Sequence, residues 1–453
     1  MKKVRLIFVT LGRRDLSIDD NNEDKPPREK GRYILDNYNT LKHKLSLNIL
    51  EEFLSNELSK ESDKKKLFIF ATNQEDPNFN KDDTIFYAKV IEKLLYEKYN
   101  KNKNLFIEII EIKENLEHSD LLYDFFKKTL NNKISKIEKE YEIENVSCAL
   151  KGGIPDVNYS ILLYLIFKFK TKLKHFNIKE EKNRKKSFNF YPLKFSNEIW
   201  RDIEREKVLE YIDSFNYLEI KKNSSIFDVQ KLAETAFNLF SFNLDEAKRV
   251  REYEIKDRDF VSEILKYLEQ IEEDEKNILR ELYFTIWIYI QKKYFADALA
   301  RLYNFTERIF LFELSKITKE EKIFEDIIKK WDSIIEELIK KYPEIAEKKD
   351  NYDKIDVNEY SIPTLSKILS IIKKDESEFL EILKQLEKIR QIRNKSIVAH
   401  GTTGISEEKL KERLENTHII EILKNIEKYY DFNFENSLYT KINNKIKSLY
   451  EIK

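Results

Sequence analysis

Apolar positions follow two different patterns along this chain, and the change falls near residue 195. Before it, short and mostly apolar runs of strand length stand at residues 4–11 (VRLIFVTL), 67–71 (LFIFA), 105–112 and 146–150. Continuous apolar runs of this length are the mark of strands buried on both faces. Phe188–Leu193 reads as a further strand after a charged turn. Helical spacing fills the intervals, over about 33–58, 85–99, 119–142 and 155–172, with Pro155 at a first helical turn, where its missing N–H does no harm. Strands alternating with helices predict an α/β fold with a Rossmann-like, parallel, doubly wound sheet.

After residue 195 no strand pattern follows. Residues 195–260 are mixed and helical, with Trp200 and a run of Phe and Leu over 227–243. Amphipathic helices are expected at about 275–293, 294–317, 319–341, 363–374, 377–399, 406–429 and 434–451, their apolar residues recurring at three- and four-residue intervals as a bundle requires. The expected organisation is an α/β domain over 1–194, a helical connecting region over 195–260, and a helical bundle over 261–453.

Geometry alone places a pocket in the first part. The polar loops 10–32, 72–84 and 151–158 each follow a strand, so they gather at the carboxyl edge of the sheet, where open α/β folds bind ligands. The Lys151-Gly152-Gly153 turn offers backbone N–H groups and a helix N-terminus there, which suits a phosphate; a tight strand-to-helix turn with no ligand explains the glycines equally well. Neither G-x-G-x-x-G nor a Walker A loop is present.

Composition narrows the choice. Apolar residues make up 41% and charged residues 37% of 453, with 83 basic against 83 acidic side chains, which argues for a globular protein and against a general nucleic-acid coat. One cysteine, Cys148, excludes a disulfide framework and a cysteine-based zinc site. The N-terminus lacks a signal-peptide pattern and no stretch has the apolar length of a membrane span, so a cytoplasmic protein without membrane attachment is expected. The six glycines are concentrated at Gly12, Gly31, Gly152, Gly153, Gly401 and Gly404, in the strand-following loops and near one helix end.

That helix end reads Arg390-QIRNKSIVAHGTT-Gly404. On a continuous helix Arg393 and His400, seven residues apart, face the same way with a rise of roughly 10 Å between them, a separation suited to gripping one phosphodiester. Gly401 stands where a C′ glycine belongs, and His is the side chain that exchanges protons near neutral pH. The same spacing is also met by a surface arginine and a capping histidine. One Arg and one His supply few groups for such chemistry, so a second copy across a twofold axis is needed to complete the site. The five histidines show no HEXXH or paired metal-ligand spacing.

Taken together these residues resemble the type III CRISPR-associated ribonucleases that join an N-terminal CARF domain to a C-terminal HEPN domain. Arg393-Asn394 followed by His400 matches the HEPN signature, and the stretch from Tyr294 to Lys316 is similar to the first core helix of such modules. Thr10-Leu11-Gly12-Arg13-Arg14-Asp15 matches the loop after the first CARF strand, Thr72-Asn73-Gln74 with Asp83-Thr84 the loop after the second, and Gly152-Gly153-Ile154-Pro155 with Asn158 the turn after the fourth. Ile154 departs from the family, which often has Thr there. The resemblance implies a homodimer whose CARF pocket, built from these loop residues and Lys151, binds a cyclic oligoadenylate, tetra- or hexa-adenylate. It implies a single-stranded RNA endoribonuclease that needs no metal or other cofactor and leaves 2′,3′-cyclic phosphates. His400 would be the general acid or base, Arg393 the phosphorane partner and Asn394 the orienting group. Secondary cleavage of the activator would fall to Thr10 and Lys151. The competing reading is a nucleotide-sensing dimeric binding module without nuclease activity.

Overall fold

The computed structural model describes residues 2–19, 25–59, 64–78, 80–99, 104–114, 118–180, 188–318, 327–346, 357, 359–396, 404–415 and 417–451. It divides into two compact units, Met1–Ile203 and Glu204–Lys453.

The first unit is built on a six-stranded sheet. Its strands are β1 (Lys2–Thr10), β4 (Lys64–Thr72), β5 (Leu105–Ile112), β6 (Tyr141–Ala149), β7 (Leu173–Glu180) and β8 (Phe188–Leu193), in the order β5-β4-β1-β6-β7-β8. All neighbours run parallel except β8, which returns antiparallel along β7. Alternate side chains feed two cores, as the two-residue period of a strand requires. Ile7, Val9, Leu67 and Ile69 pack toward the helices Glu51–Leu58 and Ile85–Tyr99; Leu6, Phe8, Phe68 and Phe70 pack toward Ser119–Glu140 and Pro155–Phe169. Connections from β1 lead first to β4 and β5 and then back to β6 on its other side. The loops after β1 and β6 therefore diverge at the switch point of the sheet, where such folds open a crevice.

Four expectations need correction. The helix expected over 406–429 is two, Glu407–Arg413 and Ile419–Tyr430. The helix expected over 33–58 is broken into Pro27–Asp36, Tyr38–Leu41 and Glu51–Leu58, with a short strand β3 (Leu45–Leu47) that pairs antiparallel with β2 (Leu16–Ile18). The strand β7 falls in a stretch that had no assigned element. The helix expected over 377–399 is Ser377–Asn394, and Lys395 is its C-cap. The backbone N–H and the hydroxyl of Ser396 both donate to the Arg393 carbonyl, at 3.1 and 2.7 Å, closing a turn where the helix would have continued.

The second unit is helical among the described residues, with one core running from Val208 to Ile446. The helix Phe295–Thr318 is central: Leu302, Phe305, Ile309 and Leu314 are fully buried on it, and it packs against Glu275–Gln291, Ile362–Ile372 and Ser377–Asn394. The helices Tyr217–Asn223, Phe227–Phe240 and Arg258–Glu273 share that core. Glu313 and Glu281 are fully buried within it. Glu313 is paired with Lys373 and Lys316 at 2.6 and 2.7 Å; Glu281 accepts from the Tyr267 hydroxyl at 2.8 Å, and burial pushes its carboxyl up to about 7.

Candidate functional site

Two sets of residues carry the candidate chemistry, one in each unit. In the first, a cavity of about 1020 Å³ opens at the carboxyl ends of the strands. Leu11, Gly12 and Arg13 from the loop after β1 line it, with Thr72, Gln74 and Asp82–Thr84 after β4, Lys113 after β5, and Gly153, Ile154 and Asp156 after β6.

The floor of this cavity is a contact between two backbones. A Cβ on Gly152 would fall 2.5 Å from the Gly12 nitrogen and 2.7 Å from the Thr10 carbonyl; one on Gly12 would fall 2.7 Å from the Gly153 nitrogen. Glycine is required there because no side chain fits between the loops, and Gly153 also holds φ +82°, a left-handed conformation. Asp15 is fully buried beneath them. One of its carboxylate oxygens accepts from the Gly12 N–H, while the other has no hydrogen-bond partner among the described residues. Burial pushes its pKa up to about 7, against the lowering pull of the Gly12 N–H and the Arg14 charge.

The wall after β4 is fixed by reciprocal bonds. Thr72 and Thr84 exchange N–H to hydroxyl bonds at 3.2 Å each. Asp83, buried and with its pKa raised by that burial, accepts from the Arg28 guanidinium at 2.6 Å and the Gln74 N–H at 2.7 Å. The Gln74 amide donates to the carbonyls of Ile112 and Glu114, tying this loop to the one after β5. Arg13 reaches across the opening to Asp82. Five carboxylates face the cavity (Glu75, Asp76, Asp82, Asp83 and Asp156), against Arg13 and Lys113. Four have partners: Asp82 and Asp83 as above, Asp76 the Asn78 N–H, and Asp156 the Ser119 hydroxyl. No side chain caps the helix Pro155–Phe169, so its N-terminal turn is a second attraction for an anion. The cavity can thus accept amino groups on its carboxylates and phosphates on its cations and helix end.

Of the residues expected here, Leu11, Gly12, Arg13, Thr72, Gln74, Gly153 and Ile154 line the cavity. Thr10 lies under it, buried, with a hydroxyl that has no hydrogen-bond partner among the described residues. Asp15 and Gly152 are in the floor; the Asn73 amide is bonded to Glu111 at 2.9 Å; Lys151 is exposed. Arg14 is exposed, Pro155 begins the helix, and the Asn158 side-chain oxygen is buried without a partner among the described residues. Arg28, Lys113 and Asp156 were not singled out from the sequence. Arg28 and Asp156 fall in the loops 10–32 and 151–158 expected at this edge, and Lys113 directly follows a strand.

In the second unit, Arg393 and Asn394 form the last turn of the helix Ser377–Asn394. The guanidinium lies over the Tyr303 ring, 4.4 Å from its centre, and one of its terminal nitrogens donates to the Asn394 side-chain oxygen at 3.3 Å. Its Nε is buried and has no hydrogen-bond partner among the described residues. Tyr303 is on Phe295–Thr318, so two helices of the bundle hold the guanidinium between them. His400 and Gly401 lie outside the described residues. The helix that carries Arg393 ends at Asn394.

Among the described residues no group of three or more His, Cys, Asp or Glu is arranged to hold a metal, and no helix is long and apolar enough to cross a membrane. Residues 265–447 match the Cas_Csm6 HEPN domain family. The chain is similar in fold to Enterococcus italicus Csm6 solved bound to cyclic hexa-2'-fluoro-hexa-dAMP, with a TM-score of 0.60 and 13% sequence identity over 98% of this chain and 99% of that one. No curated protein matches the chain in sequence.

Proposed function

We propose, since the chain belongs to the type III CRISPR-associated CARF–HEPN family, that it is a single-stranded RNA endoribonuclease switched on by a cyclic oligoadenylate. The observation that carries this reading is the pairing of a strand-end cavity in a Rossmann-like unit with an Arg-Asn pair at a helix end inside the matched HEPN region. In the cavity, the carboxylates would take the exocyclic amines of adenines, and Arg13, Lys113 and the Pro155 helix end would take phosphates. The relative solved with a cyclic hexanucleotide supports a ring of that class, hexa- or tetra-adenylate, as the activator.

The chemical step needs a base for the 2′-OH, an acid for the leaving 5′ oxygen and a cation for the phosphorane. His400 supplies the proton transfers and Arg393 the charge. Asn394, bonded to the guanidinium, sets its orientation. A second copy across a twofold axis supplies the second Arg and His, so the active form is a homodimer acting without a metal ion and leaving 2′,3′-cyclic phosphates. Thr10, whose hydroxyl at the end of β1 has no partner among the described residues, and Lys151 are the groups on which slow cleavage of the activator would depend.

The test mixes the full-length protein with fluorescent single-stranded RNA, EDTA and a panel of cyclic adenylates. Cleavage that requires one ring size, yields cyclic-phosphate ends and falls by about 10²-fold or more in His400→Ala is the expected result. Equal rates in the variant, or no cleavage with any ring, leave a nucleotide-sensing binding module instead.

A further inference from the structure

A second cavity, of about 470 Å³, lies in the helical unit on the same helix that carries Tyr303. Ser241 and Phe242 line one side, Ile278 and Leu282 its base, and Arg301, Asn304, Glu307 and Arg308 the helix side. Resting on the ribonuclease reading above, we propose that it is a subsite for a nucleotide of the RNA substrate, next to the scissile linkage, with Arg301 as its phosphate contact and Phe242 as its stacking face.

Three observations carry this. The first is charge. Arg308 is already paired with Glu275 at 2.9 Å, and Glu307 accepts from the Tyr360 hydroxyl at 2.7 Å. Arg301 makes no ion pair with any described residue. Its guanidinium lies instead among three rings, those of Phe240, Phe242 and Tyr289, at 5.9, 5.5 and 5.5 Å from their centres. A cation held by aromatic faces rather than by a carboxylate keeps its charge available to an anion. Lys292, over the rings of Phe240 and Tyr294, adds a second cation to the same cluster.

The second is chemistry. Single-stranded nucleic acid is bound where cations follow the backbone and aromatic faces accept bases. Here a half-buried Phe242 and the apolar Leu282 and Ile278 sit beside Arg301, while the exposed Asn304 offers both a donor and an acceptor to a base edge.

The third is continuity with Arg393. At 100° per residue, Tyr303, Glu307, Asn304, Arg308 and Arg301 follow one another round the helix within about 160°. On a helix about 11 Å across with side chains, that is an arc of about 15 Å, the reach of a nucleotide or two. Tyr303 stacks on Arg393 at one end of the arc, and Arg301 closes the other. Glu307 belongs to both, lining the cavity and holding Tyr360. A strand cut beside Arg393 therefore has a path over this helix into the cavity.

The experiment measures binding of the full-length protein to a fluorescent 2′-O-methyl RNA 12-mer, which lacks the attacking hydroxyl, across a range of salt, together with cleavage of the unmodified strand. Arg301→Gln is expected to raise Kd about tenfold and to flatten the slope of log K against log salt by about one ion. It is expected to raise KM for cleavage and leave kcat close to wild type. Because Arg301 also packs against rings, Asn304→Glu at an exposed position serves as the second variant, and should weaken binding several-fold by repulsion alone. Unchanged Kd and salt slope in both variants, with the wild type binding and cutting, would overturn the subsite and leave the ribonuclease reading intact. A wild type that neither binds nor cuts under any cyclic adenylate sinks both.

Discussion

The cavity of the first unit and the Arg393 turn of the second are held in opposite ways. In the first, position is set by backbone: Gly12, Gly152 and Gly153 bring two loops into contact, and the walls are closed by the Thr72–Thr84 exchange and by Asp83. In the second, position is set by side chains: the Arg393 guanidinium rests on the Tyr303 ring and touches Asn394 at the end of a helix. The difference suits the two proposed tasks. A cavity that recognised one cyclic adenylate among similar rings would gain from a floor that cannot adjust, because specificity is a difference between affinities. A nuclease site of the proposed dimer would gain from a charge whose final contacts are made only on assembly.

The largest effect is expected from disturbing the backbone contact. In Gly152→Ala the added carbon would meet the Asp15 carboxylate, the Gly12 nitrogen and the Thr10 carbonyl, all well inside contact distance. Two of the three are main-chain atoms and cannot rotate away, so the loops must part at a cost of about 3 kcal/mol. Calorimetric titration with cyclic hexa- and tetra-adenylate should show affinity reduced by about 10²-fold, and thermal unfolding a lowered midpoint. Binding at wild-type strength would mean that the floor adapts, and the contrast between the two regions would fail.

A smaller effect is expected from the side-chain side. Tyr303→Leu removes the ring under Arg393 but keeps apolar bulk on the helix Phe295–Thr318. The stacking is worth about 1 kcal/mol at a half-exposed site, so activated RNA cleavage should lose about fivefold in kcat with KM little changed, and Tyr303→Phe should restore it. Equal loss in both variants points to the hydroxyl rather than the stack. A raised KM with normal kcat assigns Tyr303 to substrate binding instead of to positioning Arg393.

The two regions also differed in how much of them could be read from sequence. β1, β4, β5 and β6 stand out because a strand buried on both faces is apolar throughout, and the loops that follow them bring their polar residues to one edge. The β2–β3 pair escaped because three-residue strands are shorter than any period they could display. β7 escaped because its sequence, LKHFNIKE, mixes charged and apolar positions without the continuous apolar run of the central strands. Around Arg393 the reading went astray for a local reason. The apolar spacing of the helix runs on into Ile397, Val398 and Ala399, whereas Ser396 turns both its N–H and its hydroxyl back to the Arg393 carbonyl and ends it. Hydrophobic periodicity reports which face is buried and is silent on a serine that competes for a carbonyl. The role of Asp15 was hidden for another reason: a carboxylate in a polar loop looks solvated until the fold closes over it.

That buried carboxylate gives the smallest and most diagnostic effect. Asp15 titrates near 3.8 when free and is pushed up to about 7 by burial in the native state. Between about pH 4 and 7 the folded protein therefore holds a proton that the unfolded chain has released. Stability then falls as pH rises through that window and levels off above it. Glu281, raised to about 7 by burial in the other unit, has the same sign, so the informative measurement is a difference between two proteins. Asp15→Asn keeps an oxygen for the Gly12 N–H and removes the charge. Its advantage over wild type in unfolding temperature should be small at pH 5 and grow toward pH 8. The same variant should flatten the pH dependence of cyclic adenylate binding, because the floor that Asp15 holds is common to both. Parallel pH profiles for the two proteins would show that Asp15 does not titrate in this range, and that the backbone contact of Gly12 and Gly152 alone keeps the cavity in shape.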